Sequence, residues 1–157
     1  FRSGHGDHIM AVPELREKTE IPVYACRAEE ELLADPGQNL STGLFGKPLS
    51  LKADVLTEDG QELTAAGMKF RVLSTPGHTP GGICLVGEGT AEGIAFVGDT
   101  LFPGSCGRTD LAGGDSDAMR RSLARMGREI APQTVLLCGH GPATTMAEEL
   151  ASNPFVR

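Results

Sequence analysis

Two short apolar runs of this chain end in the same way. Ile94-Ala95-Phe96-Val97 leads into Gly98-Asp99, and Val135-Leu136-Leu137-Cys138 leads into Gly139-His140. Runs of this kind, bounded by glycine, read as buried strands, and each hands a ligand-type side chain to the end of its strand. The remaining histidines repeat the theme. His78 lies within Ser74-Thr75-Pro76-Gly77-His78-Thr79-Pro80-Gly81, and His5-Gly6-Asp7-His8 packs three ligand-type residues together. Every histidine therefore sits beside glycine or aspartate, where a pliable backbone lets side chains turn toward one centre. With 21 glycines and 10 prolines in 157 residues, about a fifth of the chain against a usual value of roughly 12%, short strands and loops are expected rather than a helical bundle.

Composition narrows the function classes. The 14 basic residues face 21 acidic ones, a formal charge of −7, whereas a nucleic-acid binder of this size carries a basic face. No apolar run approaches the ~18 residues of a membrane span, and no signal peptide is visible. Cys26, Cys84, Cys106 and Cys138 lie far apart with no C-x-x-C pair, which reads as free thiols in a reducing compartment. The expectation is one cytoplasmic domain over residues 1–157, with no nucleic-acid or membrane partner. Its oligomeric state is left open.

Along the chain, Ile9, Val12 and Leu15 predict a short helix to about Lys18, confined by Pro13. A strand is expected at Ile21–Ala25 and helical turns from Arg27 to Ala34. Asn39–Lys52 reads as a loop. Strands at Ala53–Leu56, Met68–Ser74, Gly82–Val86 and Gly93–Val97 suggest an antiparallel meander. Leu101–Gly114 reads as a long loop, and Asp115 as the N-cap of a helix burying Ala118, Met119, Leu123 and Met126. A strand at Thr134–Cys138 and a helix at Thr144–Ser152 complete an α+β chain.

Singly, each polar residue has an ordinary explanation: a hydrogen-bonded loop histidine, a turn aspartate at Asp99, a helix cap at Asp7. Read together, imidazoles and carboxylates at strand ends point to a divalent-metal site, zinc first, then iron or manganese. His5-x-Asp7-His8, Thr75-Pro76-Gly77-His78-Thr79-Pro80-Gly81, Gly98-Asp99-Thr100-Leu101-Phe102 and Gly139-His140-Gly141-Pro142 resemble the metallo-β-lactamase superfamily. Within it, Gly104–Asp110 and the tail from Gly141 to Phe155 resemble the short glyoxalase II-like (hydroxyacylglutathione hydrolase-like) branch.

The resemblance implies an αβ/βα sandwich with two divalent metals along one sheet edge. It implies His5, His78 and Asp99 at the first metal, and Asp7, His8, Asp99 and His140 at the second, with Asp7 and Asp99 also catalytic. It implies hydrolysis of a small thioester, such as a hydroxyacylglutathione, or of an ester, by a metal-bridging hydroxide. Two departures stand out. Ser3 occupies the place of the first motif histidine, which leaves the first metal short of a protein ligand. The strands that precede the motif in the family are missing here, so an exposed sheet edge and a trimmed N-terminus are expected. Gly107-Arg108-Thr109-Asp110 also resembles the superfamily's iron-dependent glutathione persulfide dioxygenases, and a non-catalytic metal-binding remnant is a third reading. Arg108 is a candidate substrate contact, or else a loop clamp paired with Asp110.

Overall fold

The computed structural model describes residues 2–156. Its chain starts with two short helices, α1 (Gly6–Ile9) and α2 (Val12–Lys18), where the sequence reading has one; Pro13 in the first turn of α2 starts a new helix. Strand β1 (Tyr24–Cys26) leads through a 3₁₀ turn at Arg27–Glu29 into α3 (Glu30–Ala34). Residues 39–52, read above as loop, contain a helix, α4 (Ser41–Phe45). No apolar period announces it. The fully buried Asn39 side chain builds it instead, accepting from the Ser41 N–H and donating to the Leu33 and Leu49 carbonyls.

Strand β2 (Val55–Thr57) is not part of the meander, contrary to the sequence reading; it pairs in parallel with β1 as a separate two-stranded sheet. The larger sheet contains β3 (Glu62–Ala65), β4 (Met68–Ser74), β5 (Ile83–Glu88), β6 (Ile94–Gly98), β9 (Val135–Cys138) and β10 (Thr144–Thr145), in the spatial order β10-β9-β6-β5-β4-β3. The largely exposed β3, with only Leu63 partly buried, lacks a clean alternation, which hid it in the sequence. Between β6 and β9 the expected loop includes a small hairpin, β7 (Leu101–Phe102) and β8 (Ser105–Cys106), before helix α5 (Ser116–Glu129). The final helix, α6 (Met146–Ser152), starts after β10, with a capping box between Thr145 and Glu148.

Period-two alternation sorts the apolar side chains onto two faces. From β4 and β5, Leu73 and Cys84 point to one side with Ala95, Val97 and Leu136, against Met119, Leu123 and Met126 of α5. Val72 and Ile83 point to the other, against Cys26 of β1. A third cluster, Ile9, Val12, Ala25 and Leu33, fills the space beneath α1–α3. The layers are thus helices, small sheet, large sheet and helices, the expected αβ/βα sandwich. All four cysteines are free, Cys26 and Cys84 buried and Cys106 and Cys138 half-buried. Among the described residues no helix is long and apolar enough to cross a membrane.

Candidate metal centre

Strand direction assembles the site. β4 and β6 are both antiparallel to β5, and β6 and β9 are parallel neighbours, so all three run the same way. A parallel pair needs a long crossover, here the stretch containing α5. The segments after β4, β6 and β9 therefore leave at one edge of the sheet, and they carry His78, Asp99 and His140. His5, Asp7 and His8 reach the same edge from α1 and the residue before it. α1 is fixed there by a bond from the Gly6 N–H to the Asn39 carbonyl, 2.7 Å. Asp7 lies within α1 and caps nothing.

One carboxylate oxygen is the hub. Asp99 Oδ2 lies 3.0 Å from His8 Nε2, 3.4 Å from His78 Nε2 and 3.5 Å from His140 Nε2. Asp7 Oδ2 is 2.9 Å from His140 Nε2 and 3.6 Å from His8 Nε2. The donor atoms of Asp7, His8, Asp99 and His140 all fall within 4.8 Å of one another. On the other side of Asp99, His5 Nδ1 faces His78 Nε2 at 2.9 Å. The six residues singled out in the sequence are thus brought to one place, with Asp99 Oδ2 near three of the four histidines.

The charges follow from this packing. Burial, helped by the neighbouring His78, lowers the His5 pKa to about 4. The hydrogen bond to Asp99 raises that of His8. Burial pulls His78 down, but Asp99 and the Arg108 carbonyl outweigh it and the net shift is upward. For Asp99, burial opposes ionisation, yet His78 and His8 hold its carboxyl well below the usual carboxylate range. The centre is an ionised carboxylate surrounded by imidazoles.

This donor set fits a divalent cation. Imidazole nitrogens and carboxylate oxygens are the ligands such ions take. The buried Asp99 Oδ1 has no hydrogen-bond partner among the described residues, an orphan acceptor in a polar centre. His78 Nδ1 lies 2.8 Å from the Arg108 carbonyl, an acceptor only, so the proton sits on Nδ1 and the Nε2 lone pair faces the centre. Ser3 is buried and its hydroxyl accepts from the His5 N–H at 3.5 Å.

Above the centre lies a cavity of about 320 Å³, bordered by Leu40, Leu44, Phe102 and Leu111 as well as by His5, Asp7, His78, Asp99 and His140. Arg108 borders it too, but Asp110 takes its guanidinium in two bonds of 2.7 Å. The contact Arg108 makes with the centre is through its main-chain carbonyl. Sequence reasoning missed several supports. Thr75 and Thr100 meet hydroxyl to hydroxyl beneath the centre. Gly139 packs so close to Asp99 that a Cβ there would lie 1.9 Å from Oδ1. The buried Glu29 ties two loops of the site together. The glycine was visible as part of Gly139-His140; nothing local marks Glu29.

Comparison with known proteins agrees with this geometry. The family model described as the metallo-beta-lactamase superfamily matches residues 4–140. The chain is 39% identical over 153 residues to a probable metallo-hydrolase, YqgX, of Bacillus subtilis, covering 97% of this chain and 72% of that one. It is 31% identical over 155 residues to the hydroxyacylglutathione hydrolase GloC of Haemophilus influenzae, covering 98% and 72%. Among solved structures, the BLEG-1 B3 metallo-beta-lactamase superposes with a TM-score of 0.86 at 38% identity, covering 99% of this chain and 74% of the other. TTHA1623 in a di-iron-bound form gives 0.84 at 35% identity, covering 98% and 74%.

Proposed function

This chain belongs to the metallo-β-lactamase superfamily, and from that premise we propose that it is a metal-dependent hydrolase of small thioesters, of the hydroxyacylglutathione type. The observation that carries the reading is the inventory of the cavity. Among the described residues that border it, every titratable group except Arg108 belongs to the donor cluster. Once those groups hold cations, none is left to protonate a leaving group. A thiolate leaves without such help, whereas an alkoxide or amide nitrogen does not. The relative named hydroxyacylglutathione hydrolase supports the same substrate class.

His5, His78 and Asp99 would hold one cation, and Asp7, His8, Asp99 and His140 the other. Cations held there supply Lewis acidity at a carbonyl oxygen and lower the pKa of water toward neutrality. The chain's own groups do the rest. The Arg108 carbonyl keeps the His78 proton on Nδ1. Asp7, more exposed than Asp99 and at the mouth of the cluster, is placed to accept a hydrogen bond from an attacking water and orient it. Leu40, Leu44, Phe102 and Leu111 form an apolar rim that limits water around an acyl group. Zinc is our assignment, with iron the second choice because a similar structure is in a di-iron-bound form.

The test is hydrolysis of S-lactoylglutathione by zinc- and iron-loaded protein, beside the matching oxygen ester. A kcat/KM at least about 100-fold higher for the thioester, about 2.7 kcal/mol of transition-state discrimination, is expected. Equal rates, or no turnover with metal bound, would refute the reading.

A further inference from the structure

Glu29 closes the 3₁₀ turn before α3, far from the donor cluster in sequence, and is 1% exposed. Its two carboxylate oxygens go to different places. Oε1 accepts the Gly4 N–H and Oε2 the Gly81 N–H, each at 2.6 Å. Gly4 immediately precedes His5, and Gly81 closes the loop that carries His78. Among the described residues no cation pairs with this carboxylate, so these two N–H groups are what offset its burial. The fit leaves no slack. A Cβ on Gly81 would lie 2.5 Å from the Glu29 nitrogen, and one on Gly4 would lie 2.8 Å from a Leu32 methyl.

We propose that Glu29 is a positioning residue: by bridging Gly4 and Gly81 it sets the separation of His5 Nδ1 and His78 Nε2. The consequence for metal rests on the hydrolase reading above, since that reading assigns His5 and His78 to one cation. The other donors are held differently: His140 follows β9, and α1, with Asp7 and His8, is fixed through Gly6 and Asn39. Glu29 therefore acts on one of the two cation positions. In Glu29→Gln the carboxamide accepts one N–H and turns its own donors toward the other, so one arm of the bridge is lost.

The test uses the full chain. In metal-free protein, the imidazole ring signals of His5 and His78 are followed by ¹H–¹⁵N NMR in wild type and E29Q; cobalt(II) is then titrated, and its hyperfine-shifted imidazole signals report each pair. The expected result is displaced His5 and His78 signals in the metal-free variant. Cobalt binding at that pair falls about 10–100-fold, while binding at His8 and His140 stays within about threefold. Unchanged binding at both pairs, or equal weakening at both together with a lower Tm, overturns the proposal, because a merely structural residue does the latter. If E29Q does not fold, Glu29→Asp, which keeps the charge but retracts it by a methylene, is judged by the same two outcomes. Should wild-type protein take up no cobalt, the hydrolase reading fails, and the metal-free ring signals alone decide whether Glu29 sets the pair.

Discussion

Thr75 Oγ1 and Thr100 Oγ1 lie 3.0 Å apart, both buried, joining the segment that leads to His78 with the segment that follows Asp99. Removing the Thr100 hydroxyl leaves Thr75 Oγ1 with only the weak partner Cys84 Sγ at 3.5 Å, whereas removing both leaves two matched apolar surfaces. Thr100→Val is expected to cost about 1–3 kcal/mol, and the double variant Thr75→Val/Thr100→Val less than the sum of the two singles. Urea unfolding of the four proteins of the cycle checks this; additive effects would show that the contact contributes nothing.

Gly77 has a φ of 144°, and a Cβ placed on it would lie 2.5 Å from the Met119 Cα. The loop before His78 is thus pressed against the backbone of α5, to which Gly77 also offers its carbonyl for the Asp115 N–H. Gly77→Ala is expected to destabilise by about 2–4 kcal/mol from strain and overlap together. Gly60→Ala is the control: its φ is 77° and nothing lies within 4 Å of the added methyl. That substitution should cost about 1 kcal/mol, and a similar loss in both would refute the packing argument.

Asp115 caps α5, its Oδ1 accepting the Asp117 and Ala118 N–H groups at 2.8 and 2.9 Å. Those bonds, chiefly that from Ala118, hold its carboxyl below the ordinary value of 3.8. A depressed folded-state pKa stabilises the fold above the unfolded value, and that stabilisation is lost as pH falls through the folded one. Asp115→Ala should therefore lower Tm by roughly 2–4 °C at pH 7, and the gap should narrow below about pH 4. Asp115→Asn keeps a cap that does not titrate, and its Tm should be less sensitive to pH in that window. Thermal scans from pH 2.5 to 7 decide it.

Metal removal should be visible as stability. A cation that binds only the folded chain stabilises it by about 2.7 kcal/mol per site when free metal stands 100-fold above Kd. Chelation should lower Tm accordingly, and zinc should restore it. In Asp99→Ala, which removes the oxygen shared by three imidazoles, metal per chain should fall to near zero and turnover with it. Elemental analysis and the thioester assay test both; activity that survives this substitution would refute the centre.

The six candidate donors were readable because each sits beside a glycine or another ligand-type residue, a local signature. Met68–Ser74 was readable as a strand for a similar reason: its apolar residues alternate and both ends are marked. Local patterns did not reveal α4, whose helix is imposed by the buried side chain of Asn39. Nor did they reveal that β2 leaves the meander to pair with β1, since pairing partners are chosen by tertiary packing. Glu29 looks like one more surface acid in Ala28-Glu29-Glu30-Glu31. Only its partners, distant in sequence, distinguish it.

The shared direction of β4, β6 and β9 also governs when the centre can come into being. Its side chains span Asp7 to His140, and the last is delivered only when β9 has docked beside β6. On the ribosome the whole stretch from Asp7 to His140 is made before the fourth donor of that cluster exists. Closing so long a loop is a late event in folding. A cation captured with all four donors therefore certifies that β9 has docked, and a nascent or partly unfolded chain is left to compete for metal with isolated, weak ligands.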